Sequence, residues 1–261
     1  MKYLKSSFCD LYELFEQNIS VRYISEPLAS FDYDASIKSV ASFMSENDYD
    51  VVGVRQNGLV IGYVEHSSLN GGAFFDHLVK FEQSNVVEET TSLIDTFKAM
   101  KDSPRLFVNV LGHVGGIVTR GDLQKVPVRM WLFGLISLIE MQLLRLIRNY
   151  HSDNSWQTLI KEKRLEAAKN ILAQRKKKNQ SIDLVECLQF CDKRDLAVKS
   201  PQISQALDFD GLEKLLKNME DLRNKLAHAQ DIVERFCPDF VNTVESAEKL
   251  LQKCEQISST V

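Results

Sequence analysis

A repeated segment constrains this chain more than any other feature of its sequence. Ser36-Ile37-Lys38-Ser39-Val40-Ala41-Ser42-Phe43-Met44 is matched by Ser92-Leu93-Ile94-Asp95-Thr96-Phe97-Lys98-Ala99-Met100, at an offset of 56 residues. Both stretches space their apolar residues as a helix does. Each is followed by a β-type run: Tyr49-Asp50-Val51-Val52-Gly53-Val54 in the first copy, Arg105-Leu106-Phe107-Val108-Asn109-Val110 in the second. Asn57-Gly58 and Gly112 then mark turns, and Gly62-Tyr63-Val64 and Gly116-Ile117-Val118 begin second strands. Beyond the turn the offset falls to 54, which a hairpin two residues shorter in the second copy would explain. Residues from about Val21 to Lys125 thus read as two β-β-α-like units. Neither can bury its apolar face alone, so they are expected to pack as a pseudo-twofold pair with a cleft between them.

Composition admits this and excludes several classes. The 261 residues suffice for two modest domains, and 44% are hydrophobic, enough for a core. The formal net charge of −4 means that any nucleic acid must be met by a local basic face. Cys9, Cys187, Cys191, Cys237 and Cys254 contain no Cys-x-x-Cys, so neither a zinc site nor any other metal site is expected. Cys187 and Cys191, four apart, suit one helix face, or simply two buried thiols. Scattered thiols fit a reducing, cytoplasmic setting. Met1-Lys2-Tyr3-Leu4-Lys5 lacks the apolar run of a signal peptide. Met130 to Leu144, broken by Glu140, is shorter than the ~20 residues of a membrane span and reads as a buried helix.

The end of the second unit, Gly116-Ile117-Val118-Thr119-Arg120-Gly121-Asp122, resembles the strand-to-helix signature that closes a CBS repeat. A strand delivers Thr119 to the cleft rim and Asp122 begins the next helix. A carboxylate there can accept both ribose hydroxyls. Thr119 can meet phosphate or ribose, Arg120 can add charge, and the helix N-terminus suits an anion. The resemblance implies that an adenine nucleotide binds as a regulatory ligand, with Ser25 and the backbone near Ala29, in Ile24-Ser25-Glu26-Pro27-Leu28-Ala29-Ser30-Phe31, bordering the base. The first copy departs from the signature. Its Gly62-Tyr63-Val64-Glu65-His66-Ser67-Ser68 places Glu65 where the hydroxyl belongs and Ser68 where the carboxylate belongs. One competent site is expected, not two; a pair that dimerises without ligand is the alternative.

After Pro127 glycine nearly vanishes and the chain reads as helices: Val128 to Tyr150, Ser155 to Lys178 with Ser155 as cap, Asp183 to Leu196, Asp210 to about Gln230, and Pro238 to about Ile257. Asp210 and Glu213 match a capping box. The basic run Arg175-Lys176-Lys177-Lys178 is either a solvated helix end or an RNA contact. The expected fold class is an α+β CBS pair over residues 1–127 followed by an all-α bundle over 128–261.

Within that bundle, Leu222-Arg223-Asn224-Lys225-Leu226-Ala227-His228-Ala229-Gln230 is similar to the Arg-x4-His motif of HEPN domains, including an Asn after the Arg. On a helix about 40° separates Asn224 from His228. His228 can move a proton at the 2′-hydroxyl or the leaving oxygen. Arg223 can hold the phosphate and offset transition-state charge, and Asn224 can orient the histidine or the backbone. The resemblance implies a metal-independent endoribonuclease that joins two copies of the motif in one cleft, hence a homodimer with RNA as substrate and no membrane partner. It also suggests a bacterial toxin or anti-phage effector. Glu140 faces the cleft in this reading and pairs with Arg223; pairing with Arg145, or solvent, is the alternative. A non-catalytic regulatory bundle is the alternative function. His66, His77, His113, His151 and His228 show no metal-ligand spacing.

Overall fold

The computed structural model describes residues 7–232 and 238–260. Cys237 and the N-terminal Met1-Lys2-Tyr3-Leu4-Lys5 lie outside the described residues. The chain divides into two compact units, Leu14–Val128 and Met1–Glu13 with Arg129–Val261.

The unit Leu14–Val128 carries the repeat. Its first copy runs β2 (Ser30–Asp32), α2 (Ile37–Asn47), β3 (Val51–Gln56) and β4 (Leu59–Glu65), after a two-residue strand β1 (Glu26–Pro27). Its second copy runs β5 (Val86–Glu88), α3 (Leu93–Ala99), β6 (Arg105–Val110) and β7 (His113–Thr119). Each copy is therefore β-α-β-β, not β-β-α: the leading strand pairs parallel with the strand after the helix, and a hairpin follows. Three-residue leading strands carry too little alternation to register as strands in the sequence.

The offset of 56 holds for the leading strands and helix starts, and 54 holds from β3 onward. The hairpins are equal in length, each with two residues in its turn, and their bulges fall at equivalent places, Val54/Arg55 and Val108/Asn109. The two missing residues lie before the strand, where α3 is four residues shorter than α2. Arg105 is thus the counterpart of Val51, not of Tyr49. The turns are Asn57-Gly58 and Leu111-Gly112, all four residues at positive φ. Two-residue turns of this hand match the twist of a hairpin.

Each sheet is completed by the lead-in to the other copy. β1 lies antiparallel to β7, Glu26 opposite Ile117 and Pro27 opposite Gly116. Val79 makes the equivalent bridge to Tyr63 of β4. Alternation along β3, β4, β6 and β7 sends Val52, Val54, Val64, Leu106, Val108 and Val118 into full burial. Val40 and Met44 of α2 and Phe74 close the first core. Tyr63, Phe81 and Phe107 form an aromatic trio where the copies meet, with Phe107 4.7 Å from each of the other two centroids.

The other unit is helical. α4 (Val126–Tyr150) starts in the repeat unit and continues here, where α1 (Phe8–Gln17) contributes its first turns. Leu11 packs so tightly on Gly134 that a Cβ there would lie 2.8 Å from its Cδ1. At 25 residues α4 is long and apolar enough to cross a membrane, with 56% of its most apolar window buried in the fold. α5 (Glu162–Lys176), α6 (Phe190–Lys199), α7 (Pro201–Leu207), α8 (Leu212–Ala227) and α9 (Pro238–Thr260) follow, and α8 packs against both α6 and α9. Leu212, Leu215, Leu216, Met219 and Leu222 form the buried stripe of α8 at three- and four-residue spacing.

Several expected boundaries move. Ser155 opens a 3-10 turn instead of capping α5, because its hydroxyl is hydrogen-bonded to buried His151 Nδ1 at 2.8 Å. Asp183 to Leu196 is broken into a 3-10 turn, Leu184–Cys187, and α6, so Cys187 and Cys191 occupy different elements. α7, capped by Ser200 with Pro201 in its first turn, is an additional helix. Asp210 does not cap α8; Gly211 takes that place with φ 68°. α8 ends at Ala227 in a Schellman closure: the N–H of Gln230 donates to Lys225 O and that of Ala229 to Leu226 O.

Candidate functional site

In the repeat unit, a cleft of about 830 Å³ opens between the two copies. Ala29, Thr119, Arg120 and Asp122, all singled out from the sequence, line it. Ser25 does not; its neighbour Ile24 presents a carbonyl that accepts from Lys125 Nζ at 2.6 Å. Ala29 uses its carbonyl to accept from Gly53 N at 2.7 Å, which ties the lead-in segment to β3.

Asp122 is held from three sides. Its Oδ2 accepts from Thr119 N at 2.7 Å and from Thr119 Oγ1 at 3.0 Å, capping the 3-10 turn Arg120–Gln124. Its Oδ1 faces Lys125 Nζ at 2.9 Å. A carboxylate offers about four lone-pair sites, so one is left. A ribose donating both hydroxyls to Asp122 displaces either Lys125 or the Thr119 hydroxyl. Lys125 also pairs with Glu26. Burial alone would lower its pKa, but the hydrogen bonds from Glu26 and Asp122 outweigh burial and raise it.

Arg105 is the cleft residue the sequence reading missed. It lines the cleft, stands opposite Thr119 in the β6–β7 register, and its Nη1 lies 2.6 Å from Glu65 Oε1. The signal was a charged residue opening an otherwise apolar strand. Mis-set by two residues, the repeat alignment placed it opposite Tyr49.

In the helical unit, Arg223 and Asn224 line a cleft of about 240 Å³ with Gln189, Phe190, Cys191 and Glu220. Arg223 Nη1 donates to Asn224 Oδ1 at 3.4 Å, and among the described residues it forms no ion pair. The nearby Glu220 is matched by Arg194, which also binds Asp195 at 2.8 Å. Burial pushes the Cys191 thiol up, helped by the Asp192 charge, so it stays a protonated bystander. His228 is exposed at the C-cap, and its N–H donates to Asn224 O at 3.1 Å. It is not among the residues lining the Arg223 cleft.

Glu140 pairs with neither Arg223 nor Arg145. Its carboxylate accepts from buried Lys193 Nζ at 2.7 Å, because α6 delivers a cation that would otherwise be buried unpaired. Arg129, also absent from the sequence reading, clamps the end of α8: its Nη groups donate to Gln230 O at 3.1 Å, Lys225 O at 3.3 Å and Leu226 O at 3.2 Å. A guanidinium on the last carbonyls of a helix satisfies orphan acceptors and opposes their partial negative charge. It fixes the turn that carries His228. The basic run at the end of α5 borders a separate groove through Arg175 and Lys178. Among the described residues, no group of three or more His, Cys, Asp or Glu is placed to hold a metal ion.

No protein-family model and no curated protein matches the chain. Solved structures similar to its N-terminal part are CBS-pair proteins. The CBS-pair protein CBSX2 from Arabidopsis thaliana is 19% identical over 40% of this chain and 91% of its own, with a TM-score of 0.35. CBSX2 in complex with AMP gives 20% identity over 41% and 93%, TM-score 0.36. The CBS domain of the bacterial CNNM/CorC family Mg2+ transporter in complex with ATP gives 16% identity over 47% and 94%, TM-score 0.37.

Proposed function

We propose that this protein is a nucleotide-regulated, metal-independent endoribonuclease: a CBS pair senses an adenine nucleotide and a HEPN-like helix end cuts RNA. The observation that carries the sensing half is the 830 Å³ cleft, which gathers Ala29 from the lead-in to one repeat and Thr119, Arg120 and Asp122 from the end of the other. Asp122 takes the ribose, and the turn after Thr119 takes phosphate. AMP and ATP, carried by two of the solved neighbours, are the natural ligands to try.

The cutting half rests on Arg223, whose guanidinium lines a cleft while Arg194 occupies the neighbouring carboxylate. A guanidinium without an ion pair in a polar groove suits a phosphodiester. His228, exposed on a clamped turn, supplies or takes the proton, and Asn224 fixes that turn through its carbonyl. One chain offers one such histidine, so two proton transfers call for a homodimer. Met130, Phe133 and Met141 give α4 an exposed apolar stripe for the second copy, with 58%, 47% and 41% of their surfaces accessible. Glu140, bound to Lys193, orients α6 behind the cleft and takes no direct part.

The test is cleavage of a mixed cellular RNA pool by the full-length protein in EDTA, with and without AMP or ATP. Wild type is expected to cut, and His228→Ala to lose at least about a hundredfold in rate, in line with loss of a general acid–base. Equal background cleavage by both proteins would leave a non-catalytic sensing and dimerisation module as the function.

A further inference from the structure

The cleft contains an ion pair that joins the two repeats, and its place in the repeat geometry gives it a second meaning. Arg105 opens β6 and Glu65 closes β4. By the offset of 54, Glu65 occupies in the first copy the position that Thr119 occupies in the second, and Val51 occupies that of Arg105. Val51 is opposite Glu65 in one hairpin just as Arg105 is opposite Thr119 in the other. The second copy therefore places a guanidinium, a hydroxyl and the capped turn of Asp122 side by side. Cross-strand neighbours have Cβ atoms about 5 Å apart, so Arg105 starts beside the point where an anion would settle on that turn.

Arg105 does not wait there unoccupied. Its Nη1 is held by Glu65 Oε1 at 2.6 Å, and the side chains retain 22% and 41% of their exposure. Ion pairs this open to solvent are held weakly. A phosphate carries more charge than a carboxylate and matches the guanidinium fork with two oxygens. Glu26, Asp48, Asp50 and Asp122 line the same cleft, against Arg105 and Arg120. Without Arg105 the cleft would be markedly acidic and would repel a phosphate.

We propose that Arg105 reads the phosphate of the bound nucleotide and that Glu65 is its built-in competitor. The phosphate takes the guanidinium from Glu65, so binding releases an ion pair between the repeats. A nucleoside, having no phosphate, leaves the pair closed. The inference rests on the reading that this cleft holds an adenine nucleotide, and it makes nucleotide-over-nucleoside selectivity the difference between two partners of one arginine.

Calorimetric titration of the full-length protein with AMP, ATP and adenosine tests it on wild type, Arg105→Gln, Arg105→Lys and Glu65→Gln. Arg105→Gln is expected to weaken AMP and ATP at least about tenfold, the scale of a charge-assisted hydrogen bond, and to leave adenosine unchanged. Arg105→Lys retains the charge and most of the affinity, which separates charge from folding. Glu65→Gln removes the competitor and is expected to tighten AMP roughly three- to tenfold. Wild-type affinity for AMP in Arg105→Gln, or weaker AMP binding in Glu65→Gln, overturns the proposal while the cleft reading stands. A wild-type protein that binds none of the three ligands removes the cleft reading and the proposal together.

Discussion

The two repeats share a backbone plan and divide its chemistry. Strand lengths, turn lengths and bulge positions agree between them from β3 and β6 onward. Equivalent positions then carry unlike residues: Val51 and Arg105, Gly53 and Phe107, Glu65 and Thr119, Ser68 and Asp122. In the first copy, Ser68 Oγ donates to the Glu65 carbonyl at 2.7 Å; in the second, Asp122 accepts from Thr119. A hydroxyl can hold the turn closed, but it brings no charge for a ribose or a counter-cation. The pair is thus a symmetric frame with one equipped end, and the disabled end contributes Glu65 to the working one. Duplication supplies the cleft; divergence at a few positions supplies its chemistry.

The asymmetry is also built into the packing, where substitutions can break it. The largest effect is expected at Phe107, fully buried against Tyr63 and Phe81. Phe107→Ala should cost about 3–5 kcal/mol, read from the urea midpoint by circular dichroism and from hydrogen exchange of peptides within 14–128. A loss below about 1 kcal/mol would mean that the trio is not what holds the copies together.

The paired glycines Gly62 and Gly116 should respond unequally. A Cβ on Gly62 would lie 2.4 Å from the Val79 carbonyl oxygen, part of the bridge that completes the first sheet. On Gly116 the nearest atom is Val108 Cβ at 3.1 Å. Backbone must move in the first case and a few tenths of an ångström suffices in the second. Gly62→Ala should therefore destabilise by about 1–3 kcal/mol and Gly116→Ala by clearly less, in the same denaturation experiment. Equal costs would contradict the close approach of Val79.

The smallest effect has the opposite sign. Leu111 sits at φ 52° in a turn whose counterpart is Asn57, and 89% of its surface is exposed. Leucine pays for left-handed backbone and gains no burial in return. Leu111→Asn should stabilise by about 0.5–1 kcal/mol, seen as a raised urea midpoint. A neutral or negative change would show that Leu111 is covered in the working assembly.

Much of this frame was legible before any coordinates. Helical spacing marked both repeat helices, and Asn57-Gly58 named its turn. The Thr119-x-x-Asp122 signature located the rim of the cleft, and Arg223 was found in a second one. Errors came where local pattern carries no information. Three-residue strands such as Ser30–Asp32 and Val86–Glu88 are too short for periodicity to reveal. Arg105 was misaligned because the two-residue difference between copies could sit on either side of a strand, and cross-strand register is set by pairing, not by sequence spacing. Glu140 went to Lys193 and not Arg223, since which charge finds a buried carboxylate depends on helix packing 53 residues away.

Taken alone, the sequence determined the duplication, the helical character of everything past Pro127, and the residue types that can hold a ribose or a phosphate. These depend on composition and on periodicities a few residues long. Tertiary structure alone decided that Lys125 holds Asp122, that Glu65 crosses to Arg105, and that Arg129 clamps the turn bearing His228. Each is a contact between segments at least 40 residues apart, apart from Lys125 on Asp122. Electrostatic partnership falls off over a few ångströms of space and has no memory of separation along the chain, so only folding could settle it.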